Sequence, residues 1–207
     1  MAIRLIAGLG NPGRKHERDR HNAGFWFVQR LADRSRAPLR AEAKFQGVAG
    51  KVAAPSGDVW LLMPQTYMND SGRSVAQLAR FYKIETEEIL VVHDELDFAP
   101  GTVKLKLGGG VAGHNGLKDI HATLGTQAFW RLRIGIGHPG DRSQVADYVL
   151  HPPRPEESAL IDEAIDRALD VAPLILADDL TGATHKLHTK PKPPPAPESE
   201  KGEAGKP

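Results

Sequence analysis

The tightest constraint on this chain is a rhythm: short apolar runs of strand length, several closed by Gly, Pro or Asp, alternate with stretches whose apolar residues recur at helical spacing. Strand-like runs cover residues 3–9, 45–54, 59–63, 89–94, 103–107 and 131–136. Between them Phe25, Val28, Leu31 and Ala32 repeat with helical spacing behind Asn22 as the expected cap, and Val75, Leu78, Ala79 and Tyr82 do so behind Ser71. A helix is also expected from near Leu117. A longer one follows with Ile161, Ile165, Ala168, Ala172 and Leu176 inward, Glu156 and Glu157 in its first turn and a kink at Pro173. Continuous apolar strands separated by helices predict a single α/β domain, a twisted mixed β-sheet flanked by helices on both faces. No internal repeat interrupts the pattern.

Composition narrows the chemistry. With 207 residues and 40% hydrophobic content the chain can bury one sizeable core but hardly two. It has no cysteine, which excludes thiol catalysis, disulfides, Cys-ligated zinc and iron–sulfur centres and fits a reducing compartment. The first apolar run is too short for a membrane span or a signal-peptide core, so no membrane partner and a cytoplasmic location are expected. The formal charge of +1 is accounted for by Lys190, Lys192, Lys201 and Lys206 set against Glu198, Glu200 and Glu203. The body is therefore neutral, and any affinity for a polyanion must come from how its charges are arranged. Residues 188–207 lack large apolar side chains and are expected to form a disordered Pro/Lys-rich tail behind a domain spanning 1–187.

Four polar knots interrupt the apolar pattern, each at or just beyond the end of a strand-like run. The first, Gly8-Leu9-Gly10-Asn11-Pro12-Gly13, spells the dinucleotide-binding pattern G-x-G-x-x-G, with Asp33 about twenty residues further on. Residues 14–20, however, are almost continuously charged and offer no apolar helical face. The segment reads better as a rigid turn presenting Asn11, or as a plain surface turn, followed by Arg20-His21-Asn22. Ligands of open α/β sheets bind outside the carboxyl ends of strands, where these groups fall.

The second knot is His93-Asp94-Glu95-Leu96-Asp97. It is open to three readings: an acidic magnesium site, a carboxylate that orients a histidine from elsewhere, or acids that cap a turn. The third, Gly108-Gly109-Gly110-Val111-Ala112-Gly113-His114-Asn115-Gly116, lacks the Lys-Ser or Lys-Thr of a Walker loop but allows close approach of a bulky ligand. Upstream, Lys104 and Lys106 share one strand face. Lys118, Arg131 and Arg133 can join them in a basic stripe, which suits a phosphate backbone or an ordinary solvated face. The fourth, residues 63–69, carries Tyr67 and Asn69, with Tyr67 and Met68 as core filler the simpler reading. With no thiol and no G-x-S-x-G elbow, direct attack by water is favoured over a covalent intermediate.

These segments, in this order, resemble bacterial-type peptidyl-tRNA hydrolase from about Ile3 to Leu187. The resemblance rests on Gly8-Leu9-Gly10-Asn11-Pro12-Gly13, Arg20-His21-Asn22, Met68-Asn69, His93 to Asp97, the run Val111 to Asp119, and Arg131-Leu132-Arg133-Ile134-Gly135-Ile136-Gly137. It implies hydrolysis of the ester between a peptide and the terminal ribose of tRNA, with no metal and no other cofactor and with peptidyl-tRNA as the partner; a monomer is expected, though the sequence itself does not give the oligomeric state. By that similarity His21 is the base and Asp94 stabilises its working form. Asn115 and Asn69 hold water and peptide, Asn11 discriminates blocked from free aminoacyl groups, and Tyr67 lines the peptide side. Lys104, Lys106, His114, Lys118 and Arg133 fall where the family meets tRNA. The chain departs from the family at His16, where a tyrosine is usual, turning an aromatic substrate contact into a polar one.

Overall fold

The computed structural model describes residues 1–189. The first apolar run forms the wholly buried strand β1 (Leu5–Gly8). Along the chain follow α1 (Ala23–Arg34), β2 (Arg40–Glu42), β3 (Gly47–Val52), β4 (Val59–Pro64), α2 (Ser71–Phe81), β5 (Ile89–Glu95), β6 (Val103–Leu107), α3 (Asn115–Leu124), β7 (Trp130–Gly135), α4 (Val145–Val149), α5 (Pro155–Leu176) and α6 (Leu180–His188). The strands form one sheet in the order β2-β3-β4-β1-β5-β7-β6. Its centre, β4-β1-β5-β7, is parallel, while β3 with β2 on one side and β6 on the other are antiparallel.

Strand alternation divides the core in two. Ile6, Leu61, Leu90, Val92, Leu132 and Ile134 point to the face covered by α1, α5 and α6. Leu5, Ala7, Leu62, Ile89 and Val91 point to the face covered by α2 and α3. Both faces of the central strands are thus dry, which explains why they read as unbroken apolar runs. The mixed sheet with helices on both faces agrees with the expected fold class.

Several boundaries differ from the sequence reading, each for a local reason. The strand expected at 45–54 begins at Gly47, because Phe45 closes a 3-10 turn and Gln46 takes a left-handed conformation at φ 48°. Strand β2 has no apolar run to announce it. The five-residue α4 and the helix α6 also went unread; α6 starts where Asp179 accepts a hydrogen bond from the Gly182 N–H at 2.8 Å. Helix α5 does run through Pro173 to Leu176, as its apolar spacing predicts. Most of the expected tail, from residue 190, lies outside the described residues. His188 instead closes α6 and accepts a hydrogen bond from the Leu105 N–H at 3.0 Å.

The site depends on how closely α1 packs on the sheet. A methyl group at Gly24 would collide with the Val92 carbonyl oxygen and the Leu9 backbone, and one at Gly8 would strike the Gly24 carbonyl. Two glycines therefore let the first turn of α1 lie directly on β1 and β5. This seats the preceding residues Arg20-His21-Asn22 over the carboxyl end of β5. Gly24→Ala is expected to cost about 3 kcal/mol, measurable as a lower midpoint of urea unfolding, because the obstruction is backbone and cannot rotate away.

Candidate active site

The parallel strands end at a crevice beside β1, the point from which the chain leaves first toward β4 and later toward β5. In α/β sheets this is where ligands collect. A cavity of about 570 Å³ opens there, lined by His21, Asp94, His114, Asn115, His138 and Arg142 among others.

Asp94 is its electrostatic centre. It lies one residue from the end of β5 and is only 2% exposed. Its Oδ2 meets His21 Nδ1 at 2.8 Å and its Oδ1 meets His114 Nε2 at 2.9 Å. Burial alone would push this carboxyl up, yet the two imidazoles hold it well below the usual carboxylate range. It is therefore an anion at any working pH, and both neighbouring ring nitrogens carry their protons toward it. For His21 burial acts downward, but the charge and hydrogen bond of Asp94, helped by Asp19, raise it above the ordinary 6.5.

The tautomers follow from these contacts. His21 donates Nδ1–H to Asp94, so neutral His21 has its lone pair on Nε2. His114 is the N-cap of α3, its Nδ1 accepting from the Gly116 and Leu117 N–H groups at 3.2 and 3.3 Å. That leaves the proton of His114 on Nε2, facing Asp94. The donor atoms of His21, Asp94 and His114 lie within 4.8 Å of one another, close enough to surround a cation. Here the hydrogen bonds already engage both carboxylate oxygens and the two ring nitrogens nearest them, so the carboxylate orients both rings. In the second knot Asp94 is thus hydrogen-bonded to a histidine from a distant segment.

The loop bearing His21 is pinned at both ends. Arg20 sends its guanidinium into the carbonyls of Tyr148 and His151 at 3.1 and 3.2 Å and onto Glu157 at 2.9 Å, and it lies 3.8 Å over the Tyr148 ring. Contrary to the expectation of a cap, the Asn22 side chain makes no capping hydrogen bond to α1. Its Oδ1 accepts from the Asn11 N–H at 2.8 Å and its Nδ2 donates to the Asn11 carbonyl at 3.0 Å. This two-point clasp ties the turn after β1 to the histidine loop. Asn11 in turn accepts the Met68 N–H on its Oδ1 at 2.8 Å, which leaves its NH2 group to serve a ligand.

The sequence-predicted residues do not all converge. His21, Asp94 and Asn115 line one cavity, with Asn115 exposed at the first turn of α3. Asn11 instead lines a neighbouring cavity of about 430 Å³, floored by Phe25, Trp26 and Met63. Tyr67 is 64% exposed and Asn69 is exposed beside it, both outside these cavities. His16 lies outside them too, its Nδ1 held by Asp19 at 2.7 Å.

The basic stripe is partly spent. Lys104 and Lys106 stand opposite Arg133 and Arg131 across the β6–β7 pair and are exposed, as is Lys118 on α3. Arg133 is drawn onto Glu95 at 2.5 Å, and Arg131 turns inward to the carbonyls of Gly109 and Gly110. Arg131 thus leaves the stripe. His114, grouped with the tRNA contacts by resemblance, has both ring nitrogens engaged inside the site and none free for a phosphate. Sequence reasoning missed the roles of Arg20 and Asp19. Charged residues one and two places before the candidate His21 were the available signal.

Fold and site together define an α/β enzyme with a polar, solvent-open site built on an imidazole–carboxylate pair. A family model described as peptidyl-tRNA hydrolase matches residues 5–195. The chain is 57% identical over 190 residues to the peptidyl-tRNA hydrolase of Nitrosomonas europaea, covering 92% of this chain and 97% of that one. It is 58% identical over 196 residues to that of Thiobacillus denitrificans, covering 95% of each. The crystal structure of peptidyl-tRNA hydrolase from Acinetobacter baumannii superposes with a TM-score of 0.87 at 48% identity, over 89% of this chain and 94% of that chain. A peptidyl-tRNA hydrolase complexed with n-propanol gives 0.88 at 47% identity, over 92% and 97%. The chain belongs to the peptidyl-tRNA hydrolase family.

Two outcomes test this geometry. Asp94→Asn removes the charge that raises His21, so the acid limb of any His21-dependent pH–rate profile should move to lower pH while kcat falls. Asn22→Ala leaves the Asn11 backbone donor and acceptor without partners and should cost about 2 kcal/mol in denaturant unfolding.

Proposed function

We propose that the protein cleaves the ester joining a peptide to the terminal ribose of tRNA by direct attack of water, with His21 as general base. The observation that carries this reading is the His21 Nδ1–Asp94 Oδ2 hydrogen bond at 2.8 Å, buried on the Asp94 side and open to the cavity on the other. It leaves the Nε2 lone pair facing the place where water and substrate can enter. Family membership supports the substrate.

In the reaction His21 Nε2 takes a proton from water as the water oxygen adds to the ester carbonyl. Asp94 favours the imidazolium so formed without itself accepting the proton. Asn115 at the start of α3 is placed to hold the water or the developing oxyanion. Collapse of the tetrahedral intermediate breaks the bond to the ribose oxygen, and the imidazolium returns its proton to that leaving group. The Asn11 NH2 group suits a peptide carbonyl, and Asn69 and Tyr67 line the way the peptide leaves. Lys104, Lys106, Lys118 and the Glu95-held Arg133 supply the side toward tRNA. His16, tied to Asp19, offers a polar contact at the rim.

This substrate places the reaction in the cytoplasm, beside the ribosome. One chain carries every group the reaction needs, so a monomer suffices. No described helix is long and apolar enough to cross a membrane.

His21→Ala should lower the hydrolysis of an N-acetyl-aminoacyl-tRNA by about 10²–10⁴-fold without unfolding the protein, with tRNA binding intact in a filter assay. Chelation should leave the wild-type rate unchanged. Near-normal turnover by the variant overturns the assignment. Loss of activity with chelator, restored by magnesium, would instead favour a metal mechanism.

A further inference from the structure

Asp94 is shared between two imidazoles, and the mechanism uses only one of them. The second, His114, reaches the site from the glycine-rich loop, where Ala112 and Gly113 both take left-handed conformations at φ 47° and 76° just before the ring turns in. Its two nitrogens do different work. Nδ1 takes two backbone N–H groups at the start of α3, and Nε2–H reaches Asp94 Oδ1 at 2.9 Å. Its ring stands 4.9 Å from that of His21 and 5.1 Å, edge to face, from that of His93.

We infer that His114 is a positioning residue for the reaction: its Nε2–H pins Oδ1 of Asp94, so that Oδ2 is presented to His21 and only part of the carboxylate charge bears on the catalytic imidazole. This rests on the reading of His21 as the base. The role differs from a contact with tRNA, and it couples the helix that carries Asn115 to the carboxylate behind His21.

The physical consequence is a check on His21 basicity. A carboxylate with no second donor would stabilise the imidazolium more strongly, keeping His21 protonated, and so idle as a base, to higher pH. With His114 donating to Oδ1, the anion is satisfied from two sides. The other titratable or charged groups around His21 are Asp19 in its own loop, Glu95 and Asp97 at and beyond the end of β5, and His138 and Arg142 on the cavity wall. All of them remain when residue 114 alone is changed. His93, behind His114, is buried and pushed down to about 3, so it stays neutral through the working range. Its Nδ1–H donates to the Asp94 carbonyl at 2.8 Å, which holds the ring against His114.

The two jobs of the ring can be separated by substitution. An asparagine oxygen falls near the place of ring Nδ1 and keeps the cap, but the side chain is too short to reach Asp94. A glutamine NH2 group falls near the place of ring Nε2 and keeps the bond to Asp94 while giving up the cap. The test is the pH dependence of kcat/KM on N-acetyl-aminoacyl-tRNA for wild type, His114→Asn, His114→Gln and His21→Ala, together with the ring titration of His21 by NMR in the free proteins.

The expected result for His114→Asn is a folded protein whose acid limb, and whose His21 titration, move up by about one pH unit, a tenfold effect in the ionisation equilibrium. His114→Gln should stay within a few tenths of a unit of wild type. A His21 titration in His114→Asn that is unmoved or moves down overturns the inference, even where the rate falls uniformly at every pH, since that pattern belongs to a merely structural ring. Failure of the base assignment is read separately, from persistent activity in His21→Ala.

Discussion

A carboxylate buried at the end of β5 dominates this structure. An ion taken out of water is costly unless its oxygens are satisfied, and Asp94 is satisfied by two imidazole N–H groups delivered from opposite sides of the crevice. Each donor demands its own support. His21 needs the loop after β1 held over the sheet, and His114 needs the glycine-rich loop to turn into the helix start at α3. Much of the unusual local structure follows from those two demands: the close packing of α1 through Gly8 and Gly24, the left-handed turn at Ala112 and Gly113, and the use of a histidine as a helix cap.

The histidine loop is built from backbone capture more than from apolar burial. Arg20 collects carbonyls from the segment around α4 and an acid from the first turn of α5, while Asn22 clasps both backbone groups of Asn11. The Arg20 bonds tie the loop to segments far away in sequence, and the Asn22 bonds tie it to the turn after β1. A site held this way is preorganised, and its amides and imidazoles need little rearrangement as charge develops. On the neighbouring strands charge is also rationed. Glu95 engages Arg133 and two loop carbonyls engage Arg131, leaving Lys104, Lys106 and Lys118 as the exposed cations of that side.

Much of this was legible before any coordinates. The central strands announced themselves because both of their faces are buried, and α1, α2 and α5 because one face is. The elements missed are those with weak apolar signals: β2 is short and charged, α4 is a single turn and more, and α6 depends on the Asp179 cap. At the site, His21 and Asp94 were readable from their places at strand ends, and the family resemblance assigned them roles. That the His114 ring turns into the site was not legible, for a different reason. Nothing in Gly113-His114-Asn115 says which way a ring points when the preceding residue takes a positive φ.

By itself, the sequence determined the alternation of dry strands and one-sided helices, hence a mixed sheet covered on both faces, and it placed the polar side chains just past the strand ends. It also carried enough ordered motif to mark the family. Only the tertiary structure decided which of those polar groups meet. Register and strand order bring residues 21, 94 and 114 together, and the same packing leaves Asn11 on a neighbouring cavity and holds His16 on Asp19. The physical reason is that hydrogen-bond partnership depends on angstrom-scale approach between distant segments. Here that approach is set by a helix lying on glycines and by a buried charge that both histidines must satisfy.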